Sequence, residues 1–114
     1  MKKAVMLFLG LFVVAFLASA AYAQEEPAGK KLFMDNKCNM CHSITSQTVE
    51  KKMAASKAPD LSNVGSTRDA AWITKWLNKE VDIEGKKHPA TVKLADADTK
   101  TLTDWLATLK TAAK

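Results

Sequence analysis

Cys38-Asn39-Met40-Cys41-His42 sets two thiols three residues apart and an imidazole directly after the second. This is the attachment pattern of a covalent c-type haem. Each thiol adds across one of the porphyrin's two vinyl groups, so Cys38 and Cys41 must lie one short turn apart to reach both. His42 then emerges beside the macrocycle, where a ring nitrogen can bind iron from the proximal side. The chemistry implied is iron redox chemistry tuned by the polypeptide. A bare Cys-x-x-Cys also serves disulfides, thiol-redox pairs and zinc sites. Zinc would need four donors, and the others of usual type are His42 and His88, with Cys41 and His42 awkwardly adjacent on one tetrahedral ion. A thiol-redox pair wants a βαβ context, and nothing before Cys38 reads as a strand. No acid–base or nucleophilic constellation accompanies the motif, so a carrier is expected rather than an enzyme.

The elements that must position this motif read as helices. Pro27 suits a first helical position, and Glu25 and Glu26 complement the helix dipole there. A helix is predicted from about Pro27 to Asn36, with Leu32 and Phe33 on its apolar side, Met34 in the core and Gly29 one turn before Phe33. Residues 43–58 read as polar and irregular, carrying Lys51, Lys52 and Lys57. A loop with Pro59 and Gly65 follows. Ser66 or Thr67 should cap a second helix running to about Lys79, with Trp72, Ile73, Trp76 and Leu77 on one face. Residues 81–92 form a loop carrying Gly85, His88 and Pro89. Asp96 should cap a last helix in which Leu102, Trp105, Leu106 and Leu109 recur at helical spacing. No segment alternates like a strand, so the fold is expected to be all-α.

The 114-residue chain carries a formal charge of +5 and has two cysteines. Met1-Lys2-Lys3, an apolar run from Ala4 to Ala21 and the small residues of Ala21-Tyr22-Ala23 predict a secretory signal over residues 1–23, cleaved before Gln24. The apolar run approaches transmembrane length, so an uncleaved anchor in the inner membrane facing the periplasm is the alternative. Residues 24–114 then form one monohaem domain, and the charge falls to +3 as Lys2 and Lys3 leave. So modest and mixed a charge gives no support to nucleic-acid binding. Thioethers would consume both cysteines and leave no disulfide. A chain this short is near the size at which a core alone gives marginal stability, and a buried haem would add apolar volume.

In order and spacing, residues 24–114 resemble a small bacterial class I c-type cytochrome. A helix with Gly29 and Phe33 precedes the Cys38–His42 motif. A Pro-Asp-Leu loop follows at residues 59–61, then a Trp-rich helix, a ligand loop and a C-terminal helix bearing Trp105. The resemblance implies about three main helices around one covalently bound haem c, with the terminal helices crossing at Gly29 against Trp105 and Phe33. It implies that Pro59 offers its carbonyl to the His42 N–H, fixing the ring and raising its basicity. Pro59 and Leu61 thereby join Cys38, Cys41 and His42 at the cofactor. Ala58 stands where the family often has Gly.

The ligand loop departs from the family. A Met-Pro usually supplies the distal sulfur there, whereas this chain reads Gly85-Lys86-Lys87-His88-Pro89 and has no methionine after Met53. His88 is therefore the candidate distal iron ligand. Met53, a lysine or water are the alternatives, and Met40 lies within the attachment loop. Trp72 and Trp76 read as core against the haem edge, and Arg68 as a propionate partner or a solvated helix start. The lysines at 51, 52 and 57 read as a solvated run or a docking face for an acidic partner. The function expected is a monomeric periplasmic electron carrier of lowish potential, serving protein donors and acceptors that include membrane-bound ones. A haem-based gas or redox sensor with a displaceable His88 is the alternative, and a peroxidase-like enzyme lacks a distal acid–base group if His88 is a ligand.

Overall fold

The computed structural model describes residues 25–111. The expected signal or anchor over residues 1–23 lies outside them. Among the described residues there are four α-helices, α1 (Ala28–Asp35), α2 (Val64–Thr67), α3 (Ala70–Leu77) and α4 (Asp96–Ala107), with 3₁₀ turns at Cys38–Met40 and Thr45–Gln47. Among the described residues two isolated β-bridges stand in place of any strand. The architecture is all-α, as the sequence predicts.

Helix α1 starts after Pro27, whose φ of −55° already suits a helix. It stops where Asn36 donates from both its backbone N–H and Nδ2 to the Leu32 carbonyl (3.0 and 2.8 Å). Lys37 then takes a left-handed φ of 58° and turns the chain into Cys38. Gly29 and Phe33, one turn apart, are the buried face. Met34, expected in the core, is instead 38% exposed, because it lies one residue off that face.

The Trp-rich helix begins later than predicted. Ser66 and Thr67 belong to the short α2, Arg68 is extended, and Asp69 caps α3 by accepting the Trp72 N–H (2.7 Å). A carboxylate acceptor at this position also complements the helix dipole. At its far end Lys79 is left-handed (φ 61°), its N–H donating to Trp76 and that of Glu80 to Lys75. This is a Schellman closure built on lysine where glycine is usual. In α4 Asp96 lies inside the first turn rather than at the cap, where Ala95 stands without a side-chain bond.

The core comprises Phe33, Ile44, Val49, Ile73, Leu102, Leu106 and Leu109. Ile44 and Val49 come from the stretch read as polar and irregular. Their backbones pair reciprocally (2.8 and 3.1 Å) around the second 3₁₀ turn, with Thr48 left-handed, and so drive both side chains inward. Helix α4 is gripped twice by glycines. A Cβ on Gly29 would fall 2.1 Å from Trp105 Cβ, and one on Gly65 would fall 2.1 Å from the Ala107 carbonyl oxygen. The Gly65 N–H also donates to the Leu109 carbonyl (2.9 Å).

Candidate haem site

Cys38 opens a 3₁₀ turn whose carbonyl accepts from both Cys41 and His42 (3.3 and 3.0 Å). Both thiols are therefore presented from one tight turn, free and half-buried. Burial pushes the Cys38 thiol above its ordinary pKa, Cys41 adding to the effect and a backbone hydrogen bond opposing it.

The His42 Nδ1–H donates to the Pro59 carbonyl (2.8 Å). A carbonyl can only accept, so this contact assigns the proton to Nδ1 and leaves Nε2 with its lone pair. Burial holds the ring below the usual histidine pKa; the Pro59 carbonyl opposes that and nearby His88 reinforces it. A neutral imidazole is the form that binds a metal.

Asp60 ties the segment after His42 to the loop that orients it. Its carboxylate accepts from Ser43 Oγ (2.8 Å), Thr45 N (3.1 Å), Thr45 Oγ1 (2.5 Å) and Ser62 N (2.8 Å). Slight burial would raise its pKa, but these bonds outweigh that and hold the carboxyl well below the usual carboxylate range. The Leu61 N–H adds a backbone tie to the Ser43 carbonyl (2.9 Å), and the half-buried Leu61 side chain packs on the core.

On the opposite segment, Ile83 and Lys86 exchange backbone hydrogen bonds (2.9 and 3.0 Å) across left-handed Glu84 and Gly85, a two-residue turn of the hairpin type. Beyond it the chain reaches His88, which is half-buried with its Nδ1–H donating to the Ala90 carbonyl (2.8 Å). The His42 and His88 rings lie with centroids 6.4 Å apart and planes within 6° of each other. With metal–nitrogen bonds of about 2 Å, and a ring nitrogen about 1.1 Å from its centroid, two imidazoles on opposite sides of one ion have centroids about 6 Å apart. The residues present thus fit a haem: two thiols on one turn, and two imidazoles whose Nδ1 atoms are engaged by carbonyls, at the spacing one iron requires.

Met53 is 48% exposed, its backbone bonded to Met40. Lys51 donates to the Ser56 carbonyl (2.8 Å), which removes it from the solvated lysine run and leaves Lys52 and Lys57 exposed. Among the described residues no three His, Cys, Asp or Glu side chains converge on one point, so a closed zinc site lacks its donor set.

Trp72 and Trp76 are half-buried, and Trp72 packs against the core. They stack on each other at 5.7 Å and 14°, Trp76 meets His88 edge-on at 5.7 Å and 75°, and the Arg68 guanidinium lies 3.9 Å over Trp72. The Asp60 network and the Trp76–His88 contact are not evident from sequence. The run of hydroxyls at Ser43, Thr45, Ser46 and Thr48, just after the motif, is the signal that could have revealed the first. The second joins residues on a helix and a loop, with no local signature.

The family model for cytochrome c matches residues 27–110. No curated protein and no solved structure matches the chain. With the Cys38–His42 motif inside the matched span and the two thiols and the His42 imidazole grouped on one turn, the chain belongs to the cytochrome c family and carries one covalently bound haem c.

Proposed function

We propose that this cytochrome is a periplasmic one-electron carrier whose iron is held by His42 and His88. When bound, the haem supplies the one-electron couple. The chain's own residues do the rest: Cys38 and Cys41 tether it, and Pro59 and Ala90 each hold an Nδ1 proton so that both Nε2 atoms stay available. The observation that carries the ligation is the near-parallel His42 and His88 pair at 6.4 Å. With His42 and His88 both committed to the iron, no position would stay open for substrate, which favours a carrier over a catalyst. Imidazole is a stronger donor than a thioether and favours ferric iron, so the potential is lower than that of a His/Met relative. Residues 1–23 support export to the compartment where c-type haem is attached.

Optical spectra of the holoprotein test this reading. Low-spin ferric and ferrous spectra without a Met–iron charge-transfer band, and no carbon monoxide binding, are expected. A Met–iron band would return the ligand to Met53, and ready carbon monoxide binding would favour the sensor function.

A further inference from the structure

Arg68, Trp72, Trp76 and His88 form one continuous column. The guanidinium lies over the first indole, the two indoles stack, and the second meets the imidazole edge-on. Each contact has the geometry its chemistry favours: a cation on a π-face, near-parallel stacking, and a T-shaped approach at 75°. The column runs from the break between α2 and α3 along α3 to the loop of residues 81–92. Trp72 and Trp76 are four residues apart and so share a helix face, and Asp69 anchors that turn by capping the Trp72 N–H.

His88 needs such a support. Its own segment is exposed on both sides, with Lys86, Lys87, Pro89 and Ala90 all at the surface. The Ala90 carbonyl fixes one nitrogen but permits the ring to pivot about that bond. A flat indole set at 75° to the imidazole blocks the pivot, and the ring is held within 6° of the His42 plane.

We infer that Trp76, backed by Trp72 and Arg68, is a positioning residue that sets the plane of the His88 imidazole and retains that ring at the haem iron. This rests on His88 as the distal ligand. Parallel axial imidazoles donate along one common direction and split two iron d orbitals, giving a rhombic low-spin ferric paramagnetic resonance spectrum. Crossed planes leave those orbitals nearly equal in energy and give a single feature at very large g.

The test uses the ferric holoprotein and its Trp76→Leu and Trp72→Leu variants, with circular dichroism to establish folding. The wild type should give the rhombic bis-imidazole spectrum. Trp76→Leu should convert it toward the large-g form, and carbon monoxide, which the reduced wild type does not bind, should bind the reduced variant. Trp72→Leu leaves the edge contact in place but removes its backing, and should broaden the rhombic signal; it keeps the question answerable if Trp76→Leu does not assemble. A wild-type spectrum without the bis-imidazole pattern overturns the ligation and this role with it. A bis-imidazole wild type whose spectrum is unchanged in the folded variants overturns the positioning role alone.

Discussion

Gly29 and Trp105 touch where the first and last helices cross, so closely that a β-carbon on Gly29 would overlap Trp105 Cβ at 2.1 Å. Phe33, one turn along, meets the same indole edge-on with ring centroids 6.1 Å apart. The missing side chain lets α1 come close enough to α4 for this aromatic pair to form. Gly29→Leu should force the helices apart and cost about 1–3 kcal/mol or more by overpacking. Thermal melts of the holoprotein read this, and an unchanged midpoint would contradict the crossing.

Covalent attachment is expected to depend on both thiols. The exported protein should have the mass of the chain from Gln24 plus one haem, which acid–acetone does not extract. Cys38→Ala or Cys41→Ala should weaken or abolish assembly. Mass spectrometry of wild type and variants checks both the tether and the cleavage site.

Replacing the proposed distal ligand should move the potential upward. His88→Met should raise it by roughly 0.1 V, about fiftyfold toward the reduced form at ~59 mV per decade. His88→Ala should open the distal side to carbon monoxide. A low-spin haem untouched by His88→Ala would place the ligand at another residue.

Acid should loosen the loop that orients His42. The folded Asp60 carboxyl titrates below its unfolded value of about 3.9. The unfolded chain therefore binds more protons in the interval between the two, and stability falls as pH drops through it. The contribution is fully present above about pH 4 to 5 and lost on acidification. Asp60→Asn should lower stability at neutral pH and flatten the acid limb below pH 4. Melts across pH 2.5–7, within the window set by these titrations, measure the difference. Equal acid limbs in the two proteins would exclude the Asp60 network as the cause.

Lys79 holds a left-handed backbone at the end of α3, where a β-carbon is a burden. Lys79→Gly relieves it while keeping the closing hydrogen bonds to Trp76 and Lys75, so a gain of about 0.5–1 kcal/mol is expected, read by denaturant titration. A loss of stability would mean that the lysine side chain contributes more than its backbone costs.

What the sequence made legible was whatever depends on local spacing. The Cys38–His42 turn, the face shared by Gly29 and Phe33 and the stripe of Leu102, Trp105 and Leu106 each repeat at intervals that a turn or helix imposes. Cap positions were displaced by a residue or more, because Ser66, Thr67, Asp69 and Asp96 are all competent caps and tertiary contacts choose among them. Ile44 and Val49 were hidden by polar neighbours, since their burial comes from a pairing that encloses a 3₁₀ turn rather than from a periodic face. Gly65 read as a loop residue because its contact, the end of α4, lies far along the chain. Trp76 meeting His88 belongs to the same kind: two segments joined only by the fold.

The double grip on α4 has a kinetic consequence. Its partners Gly29 and Gly65 belong to earlier segments, and the link from residue 29 to residue 105 spans nearly the whole described chain. Closing a loop of that length costs about 4 kcal/mol of chain entropy before any packing offsets it. The thioethers at Cys38 and Cys41 join neighbours in sequence and so shorten that search hardly at all. Docking of the last helix is thus a high-contact-order step, and the folding rate of this small helical protein should fall below that of a bundle of equal length whose helices pack only on their sequence neighbours.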